Sequence, residues 1–345
     1  MKKLPSVIGR GLLVLLPSTL LSAPQAYAQN VESFYRGKTI DLVIGYPPGG
    51  ANDVYARLAA HHLGKYISGY PSIVPKNMPG AGSVTAANYI FNIAAKNGAT
   101  LGLLVPTLPL EEKLGSSAAK YRTAEFQWIG RMASATNVTA IMNRSLVKTI
   151  EDAFVKVAVL GATGKSATNA VYPAVLNNVL GTKFKIVTGY EGSGAAILAM
   201  ERGEVDGHSA TYDTLKTLHS DWIRDGAVNI VVQYSVKRHP ELSKVPTAVE
   251  LARTPEERSI LTAVVSGSDI GKFLLTSPGT PPERVEALRR AFDKMVRDPE
   301  FLADAEKAHV EIGPLSGEEL QKVVEQIAAL PPDVIEKVRA MYPLN

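Results

Sequence analysis

The chain of 345 residues contains no cysteine. Without cysteine there is no disulfide to cross-link the fold and no thiol to carry a lipid anchor. A chain of this length can form a sizeable hydrophobic core, and that core must hold the protein together. Disulfide-rich scaffolds and lipoproteins are therefore excluded first.

Long apolar runs are also scarce, and the most pronounced one lies near the amino terminus. Residues 2–10 carry three basic side chains and no acid, and the apolar run Gly11 to Ser22 follows. This run is too short to span a bilayer, and Ala26-Tyr27-Ala28 matches the small-x-small pattern of a signal peptidase site. We expect residues 1–28 to be a secretory signal cleaved near Ala28, leaving a periplasmic protein that does not insert into the membrane.

A strong charge of one sign is missing from the mature chain. The sequence holds 37 Lys and Arg against 33 Asp and Glu, and the expected signal takes three of the bases and no acid. The remainder, 34 against 33, has a net charge of +1. This balance gives no indication of a surface for nucleic acid or for a membrane.

Histidines are few, and none shows the spacing of a metal site. None of the six stands in a pattern with acids or cysteines that is typical of metal ligands. We therefore expect neither a metal nor another cofactor. The six are His61, His62, His208, His219, His239 and His309.

The sequence does contain a regular alternation of strand-like and helical segments. About 317 residues follow the expected signal, more than one typical core holds, so two α/β domains with mostly parallel sheets are predicted. The main predicted strands are Lys38–Tyr46, Ser72–Asn77, Thr100–Val105, Phe184–Thr188 and Asn229–Tyr234. The main predicted helices are Asn52–Ile67, Pro281–Ala308 and Ser316–Met341, the last two broken at Asp298-Pro299 and Pro331-Pro332.

Three glycine-rich loops each join a predicted strand to a predicted helix. They are Gly45–Asp53, Asn77–Ser83 and Gly161–Ser166. Free backbone N–H groups and the positive end of a helix dipole converge at such loops, which favours binding of an anion. The third loop nearly matches a nucleotide-binding P-loop, but Val159 stands where that motif requires glycine. We therefore predict a carboxylate at this loop and not the phosphates of a nucleotide.

Several motifs in order along the chain resemble one family. They are Pro48-Gly49-Gly50 with Asp53 and Ala56-Arg57, Asn77-x-Pro79-Gly80-Ala81-Gly82, Tyr190-x-Gly192 and Gly203-Glu204-Val205-Asp206. Weaker matches follow at Arg238-His239-Pro240, Val245-Pro246-Thr247 and Pro281-Pro282-Glu283. Together they span essentially the whole mature chain, which resembles the extracytoplasmic solute receptors of tripartite tricarboxylate transporters, the Bug receptors.

The resemblance implies a type II periplasmic binding protein, with two α/β domains and a ligand cleft between them. It implies a small organic carboxylate as ligand, delivered to the membrane components of a tripartite transporter, and a receptor that is not an enzyme. The implied domains are residues 29–130 with 235–345, and residues 131–234, in a chain expected to be a monomer.

The resemblance also assigns candidate ligand-binding residues to two walls of the cleft. The first wall would contain Tyr46, Pro48, Gly49, Gly50, Ala51, Asn52, Asp53, Gly80, Ala81, Gly82 and Ser83. The second would contain Thr163, Gly164, Lys165, Ser166, Thr168, Tyr190 and Asp206.

For five of these residues a second interpretation stays open. Asp53 is either a ligand contact or a helix cap, and Lys165 either pairs with a carboxylate or is a solvated loop lysine. Ser166 offers a hydroxyl or an N-cap, Tyr190 a phenol or strand-end packing, and Asp206 an acceptor or a brace for its loop.

The chain departs from the family pattern in three places. Ala51 and Ser83 stand where glycine is common. Thr188-Gly189-Tyr190-Glu191 replaces a Val-Pro-Tyr that is usually followed by a basic residue. The last difference adds an acid and removes a base near the expected site.

Two other functions are considered beside a transport receptor. The first is a periplasmic hydrolase, because Gly207-His208-Ser209-Ala210-Thr211 nearly matches a nucleophile elbow, with Thr211 where glycine is required. The second is a receptor that reports to a sensor kinase. An ordinary strand is the competing interpretation of residues 207–211.

Overall fold

The computed structural model describes residues 30–164 and 167–341. The predicted signal, residues 1–28, therefore lies outside the described residues, as do Lys165 and Ser166. Within the two described ranges, no helix combines the length and the apolar character needed to cross a membrane.

The first sheet has six strands in the order β2-β1-β3-β10-β4-β11. Strand β1 pairs in parallel with β2 and β3, whereas β10 runs antiparallel to both β3 and β4. The bounds are β1 Thr39–Ile44, β2 Ser72–Asn77, β3 Thr100–Leu103, β4 Gln127–Ala133, β10 Lys272–Thr276 and β11 Leu315–Ser316.

The second sheet has five strands in the order β7-β6-β8-β5-β9. Strand β6 pairs in parallel with β7 and β8, and β5 runs antiparallel to β8 and β9. The bounds are β5 Asn137–Met142, β6 Ala158–Ala162, β7 Phe184–Thr188, β8 Gly207–Thr211 and β9 Val228–Tyr234.

The two sheets share one strand plan, and this plan confirms the predicted fold class. In each sheet three parallel strands are followed by an antiparallel strand and then by a further strand. The antiparallel strand is the first that the chain forms after it crosses between the sheets: β5 follows β4, and β10 returns after β9. This is the plan of a type II periplasmic binding protein, with an α/β domain on each side of a cleft.

Helices cover the sheets, and their bounds explain several details of the sequence. In the described residues they are α1 (30–35), α2 Ala51–His62, α3 Val84–Asn92, α4 Leu108–Lys113, α5 Ile150–Ala153, α6 Thr168–Leu180, α7 Ser193–Arg202, α8 Tyr212–Arg224, α9 Pro255–Val265, α10 Gly267–Ile270, α11 Pro282–Met295, α12 Pro299–Lys307, α13 Gly317–Ala328 and α14 Pro332–Met341. Short 3-10 turns occupy Leu63–Tyr66, Ala81–Ser83, Thr123–Glu125 and Pro240–Leu242.

The two predicted helix breaks are confirmed. Asp298 caps α12 by accepting hydrogen bonds from the N–H groups of Glu300 and Phe301, and Pro299 follows as the first helical residue. Helix α14 likewise begins at Pro332. The helix predicted to reach residue 67 is shorter, because its last turn tightens into the 3-10 turn at Leu63–Tyr66.

Strand β1 shows how the first sheet is sandwiched between helices. Ile40, Leu42 and Ile44 point to one face and pack in a cluster with α2 and α11, whereas Val43 points to the other face and packs with α3 and α13. All four side chains are buried. This alternation is what a strand covered on both faces requires.

The predicted domain bounds remain a proposal, and the structure shows where the chain changes sheet. Strand β4 keeps residues up to Ala133 in the first sheet, and β5 starts the second at Asn137. On the return, α9 and α14 belong to the same buried cluster as α6, with Ile335 and Val338 in its core. The carboxyl-terminal helix therefore packs on the second sheet's side of the molecule.

Gly130 in β4 gives a direct test of this packing. A Cβ at residue 130 would meet the buried ring of Phe292 on α11. Gly130→Ala should lower the free energy of unfolding by about 1–3 kcal/mol, the usual cost of overpacking. Gly313→Ala is the matched control, because a Cβ there meets nothing within 4 Å. Urea unfolding followed by circular dichroism decides; equal stabilities for the two variants would contradict the packing.

Candidate functional site

The predicted glycine-rich loops lie at the carboxyl ends of parallel strands in both sheets. In open α/β sheets this edge is where ligands bind. Tyr46, just after β1, is close enough to Tyr172 of α6 for a charge on Tyr172 to act on it. The carboxyl edges of the two sheets therefore face each other, and the space between them is the candidate site.

Ser83 links the three loops of the first wall, which follow β1, β2 and β3. Its hydroxyl donates to the Gly45 carbonyl at 2.8 Å and accepts from the Val105 N–H at 3.2 Å. The residue is only 2% exposed and has a left-handed backbone, with φ of 70°. Its hydroxyl is thus engaged within the wall. Ser83 contributes to the site by shaping the loops of this wall.

Asp53 fixes the glycine loop before α2. Its carboxylate accepts from the Gly49 N–H at 2.9 Å, from Arg57 Nε at 2.8 Å and from Asn77 Nδ2 at 2.8 Å. Burial opposes the ionised form, but these hydrogen bonds outweigh it and hold the pKa of Asp53 below its usual value. The N-cap position itself belongs to Gly50. Asp53 therefore braces the loop from inside the first turn.

Three of the helices that open on the site begin without a capping side chain, whereas Thr211 caps α8 by accepting from the Thr214 N–H. Gly50, Ala167 and Gly192 are the N-caps of α2, α6 and α7, and none supplies a capping side chain. By contrast α5, α9 and α13 each begin with a full capping box. The first N–H groups of the three site helices thus lack the side-chain acceptors that the capped helices have.

The second wall is built around Thr163. Its N–H and its hydroxyl both donate to Asn169 Oδ1, at 3.2 Å each. Gly164 follows in open space, since a Cβ there meets nothing within 4 Å. Thr168 is the first residue of α6, and Ala167 occupies its N-cap position. The alternative that Ser166 is an N-cap lies outside the described residues. The predictions for Lys165 and Ser166 as ligand contacts fall outside the described residues.

For Tyr190 and Asp206 the structure favours the second interpretation, which is strand-end packing for Tyr190 and a structural brace for Asp206. The Tyr190 ring packs over Gly161 and beside the apolar cluster of α7. Asp206 lies at the amino end of β8, where its carboxylate accepts from the Val159 N–H at 2.7 Å. That end of the second sheet is opposite the glycine loops, so the structure does not bring Asp206 to the candidate site.

The remaining predicted residues lie in the loops of the first wall. Pro48, Gly49 and Gly50 are exposed, and Ala51 and Asn52 open α2. Gly80, Ala81 and Gly82 form the exposed turn that leads to Ser83.

Tyr46, predicted at the site, belongs to an aromatic and acidic cluster at the facing edges whose other members were not predicted from the sequence. Tyr172 stacks on Tyr234 with ring centroids 4.8 Å apart, and burial raises the pKa of both phenols. Burial, then the charges of Glu111 and Tyr172, raise the pKa of Tyr46. Burial also raises the pKa of Glu111, opposed by a 2.9 Å hydrogen bond from Thr107. No local pattern marks Tyr172, Tyr234 and Glu111, because they meet Tyr46 only when the sheets face each other.

The near-match to a nucleophile elbow is an ordinary strand. Residues 207–211 form β8, in which His208 and Ser209 point to opposite faces of the sheet. The His208 ring lies 2.7 Å from the Gly161 carbonyl, and the Ser209 hydroxyl lies 2.7 Å from the Thr139 hydroxyl. The two side chains therefore cannot act on each other as nucleophile and base.

Two features lie away from the facing edges, and no function is assigned to either. Ligand atoms of His61, His62 and Asp304 lie within 4.8 Å of one another, although Lys307 already pairs with Asp304 at 2.9 Å. A cavity of about 480 Å³ lies near the amino end of β4, lined in part by Arg289 and Arg290.

Residues 55–339 match the family model described as tripartite tricarboxylate transporter family receptor. The chain belongs to this receptor family. The resemblance drawn from the sequence motifs is thus confirmed, and the match covers the whole second sheet and every strand of the first except β1.

Named relatives agree with this family membership. Protein BugT of Bordetella pertussis is 28% identical to the receptor over 232 residues, which are 63% of this chain and 67% of that one. A protein of R. palustris solved with adipate has a TM-score of 0.65 at 21% identity, covering 89% of this chain and 99% of that one. MatC from Rhodopseudomonas palustris, solved with bound malate, has a TM-score of 0.61 at 21% identity, covering 86% and 99%. At this identity the two structures show the fold alone.

The Ser83 hydroxyl offers a test of how the receptor's first wall is built. Ser83→Ala removes the partner of a buried carbonyl and a loop N–H, so we expect unfolding to cost about 1–3 kcal/mol less than in the wild type. Ser117→Ala, at an exposed serine, is the control and should change little. Thermal unfolding of both variants decides; a Ser83→Ala variant as stable as the control would show that the three loops do not depend on this hydroxyl.

Proposed function

We propose that this receptor works in the periplasm, captures a small organic carboxylate in the cleft between its two domains, and delivers it to the membrane components of a tripartite transporter. Binding is then the whole chemistry, and no catalytic step is assigned. The proposed contacts come from the loops at Gly49–Asn52 and Thr163–Thr168, together with Tyr46 and the loop at Gly80–Gly82.

The observation that carries this proposal is the set of uncapped helix starts. Helices α2 and α6 lie on opposite walls, and each presents first-turn N–H groups that no side chain caps. A carboxylate has two acceptor oxygens, and the positive ends of helix dipoles stabilise its charge. One carboxylate held between two helix starts would join the walls, which gives the ligand a reason to close the cleft.

The expected affinity follows from a few such contacts. A hydrogen bond to a charged group contributes about 1.5–3 kcal/mol. Several of them, less the cost of ordering ligand and loops, reach the roughly 8 kcal/mol of a micromolar dissociation constant. The neighbouring structures solved with adipate and malate support a small carboxylate as the class of ligand.

Closure of the cleft is the experiment that tests the proposed function. We expect a carboxylate that binds to reduce the radius of gyration in small-angle X-ray scattering, because each domain supplies one wall. It should also stabilise the folded state, by about 2.7 kcal/mol at a ligand concentration 100 times Kd. A panel of small carboxylates, adipate and malate included, should be screened first by thermal shift. Tight binding without any change in radius would contradict closure.

Gly164→Val tests the second wall separately. A Cβ at residue 164 meets nothing within 4 Å among the described residues, so the fold should tolerate valine there, but the side chain would block a ligand from the loop N–H groups. We expect the affinity for the carboxylate to fall on the order of tenfold with little change in unfolding temperature. Gly313→Val is the remote control. Unchanged affinity in Gly164→Val, measured by calorimetry, would remove this loop from the site.

A further inference from the structure

A buried lysine lies at the candidate site, and the sequence analysis did not single it out. Lys272 is the first residue of β10 and pairs with Ala133 at the end of β4. Since β10 runs antiparallel to its neighbours, its amino end lies at the carboxyl edge of the first sheet. Lys272 is only 3% exposed, and its ammonium lies 5.9 Å from the centre of the Tyr55 ring on α2.

The Lys272 ammonium is not neutralised by contact with an acid. No carboxylate of the described residues lies within 4.0 Å of it. Burial lowers the pKa of Lys272, and the charge of Asp213 acts in the opposite direction. An ammonium buried without an ion-pair partner is costly, and that cost is recovered when an anion reaches it.

Asp213 approaches the same place from the other domain. It lies in the first turn of α8, directly after the carboxyl end of β8. No described side chain donates a hydrogen bond to its carboxylate, and burial raises its pKa, while the charge of Lys272 is the main effect that lowers it. The charge of each group acts on the other, so Lys272 beside the first sheet and Asp213 beside the second lie within electrostatic reach but form no ion pair.

The other charged groups around this pair are already engaged. Glu311 accepts a hydrogen bond from His239 Nε2 at 3.0 Å, and Lys216 pairs with Glu241. Tyr55 donates its hydroxyl to the Glu311 carbonyl at 2.7 Å. Lys272 and Asp213 are thus the pair in this group that is left for a ligand.

The acids at the facing edges outnumber the bases that are free to bind. Glu111 is buried near Tyr46, and Glu191 follows the second sheet in the exposed loop after β7. Arg57, by contrast, is committed to Asp53. Among the described residues, one buried cation would have to balance a ligand with two or three carboxylates against these acids. A ligand that also carries a positive group would not face this excess of negative charge.

We propose that Lys272 and Asp213 bind the two ends of a zwitterionic ligand, so that the solute is an amino carboxylate and not a plain di- or tricarboxylate. Lys272 takes a carboxylate oxygen, and Asp213 accepts from the ligand's ammonium group. The inference rests on the proposed function, because it places the ligand in the same cleft.

Matched pairs of solutes test the ammonium group. Adipate is compared with 5-aminopentanoate, in which an ammonium replaces one carboxylate, and malate with aspartate, in which an ammonium replaces the hydroxyl. The full-length receptor, purified from the periplasm and freed of bound solute by unfolding and refolding, is titrated with each by calorimetry. We expect the aminated member of at least one pair to bind on the order of tenfold to a hundredfold more tightly than its partner.

Two variants connect that preference to the pair. Asp213→Asn should reduce the preference for the aminated member to less than about threefold while carboxylate binding persists. Lys272→Met keeps the buried stem and removes the charge, and it should weaken the binding of all four solutes. Asp221→Asn on the same helix and Lys294→Met, both at exposed positions, are the controls and should match the wild type. Circular dichroism confirms that each variant is folded.

The outcomes separate this inference from the proposed function. If the wild-type receptor binds adipate or malate but prefers the aminated member in neither pair, the inference is wrong and the carboxylate receptor stands. If the amino preference survives Asp213→Asn, or if Lys272→Met binds all four solutes at full strength, the assignment of the pair is wrong. If neither these four solutes nor any carboxylate of the thermal-shift panel binds, both proposals fail.

Discussion

Backbone N–H groups at the start of a helix require acceptors, and this requirement organises the two walls of the cleft. At Thr149, Thr254 and Ser316, away from the cleft, a side chain and its partner acid meet the need locally. Where α2, α6 and α7 begin, glycine or alanine occupies the cap and supplies no side-chain acceptor. At these helix starts the proposed contacts are therefore backbone N–H groups, and the polar side chains of the first wall hold that backbone in place.

Holding the loops in place explains why the polar residues of the first wall bond mainly to one another. Ser83 links the loops after β1, β2 and β3, and Asp53 links the glycine loop to Asn77 and to its own helix. These bonds fix the wall before a ligand arrives, so binding need not meet the cost of ordering it. They also engage the side-chain oxygens of two predicted ligand contacts within the wall itself.

Much of the fold could be predicted from the sequence, because strand and helix periodicity and proline breaks are local signals. Strand Ser72–Asn77 and the break at Asp298 are found as predicted. Strand β10 could not be predicted in the same way: it is five residues long, begins with a charged residue and pairs with strands far away in sequence. It is nevertheless the strand that completes the first sheet and places Lys272 at the cleft.

The site was predicted in outline for the same reason, and its interior was not. A glycine-rich loop between a strand and a helix is a local signal in the sequence, so the loops at residues 45–53 and 77–83 could be predicted. Tyr46 and Tyr172, or Lys272 and Asp213, are separated by long stretches of chain and meet only when the two sheets face each other. Asp206 shows the opposite error, since a motif position that looked ligand-facing lies at the other end of the second sheet.

A crystal structure of the receptor with the solute that it carries from the periplasm is the most direct test of the central claim. The account predicts a carboxylate between the starts of α2 and α6, with its oxygens about 2.7–3.2 Å from backbone N–H groups of both. A solute bound elsewhere, for example in the cavity beside Arg289 and Arg290, or held in the cleft by side chains alone, would contradict it.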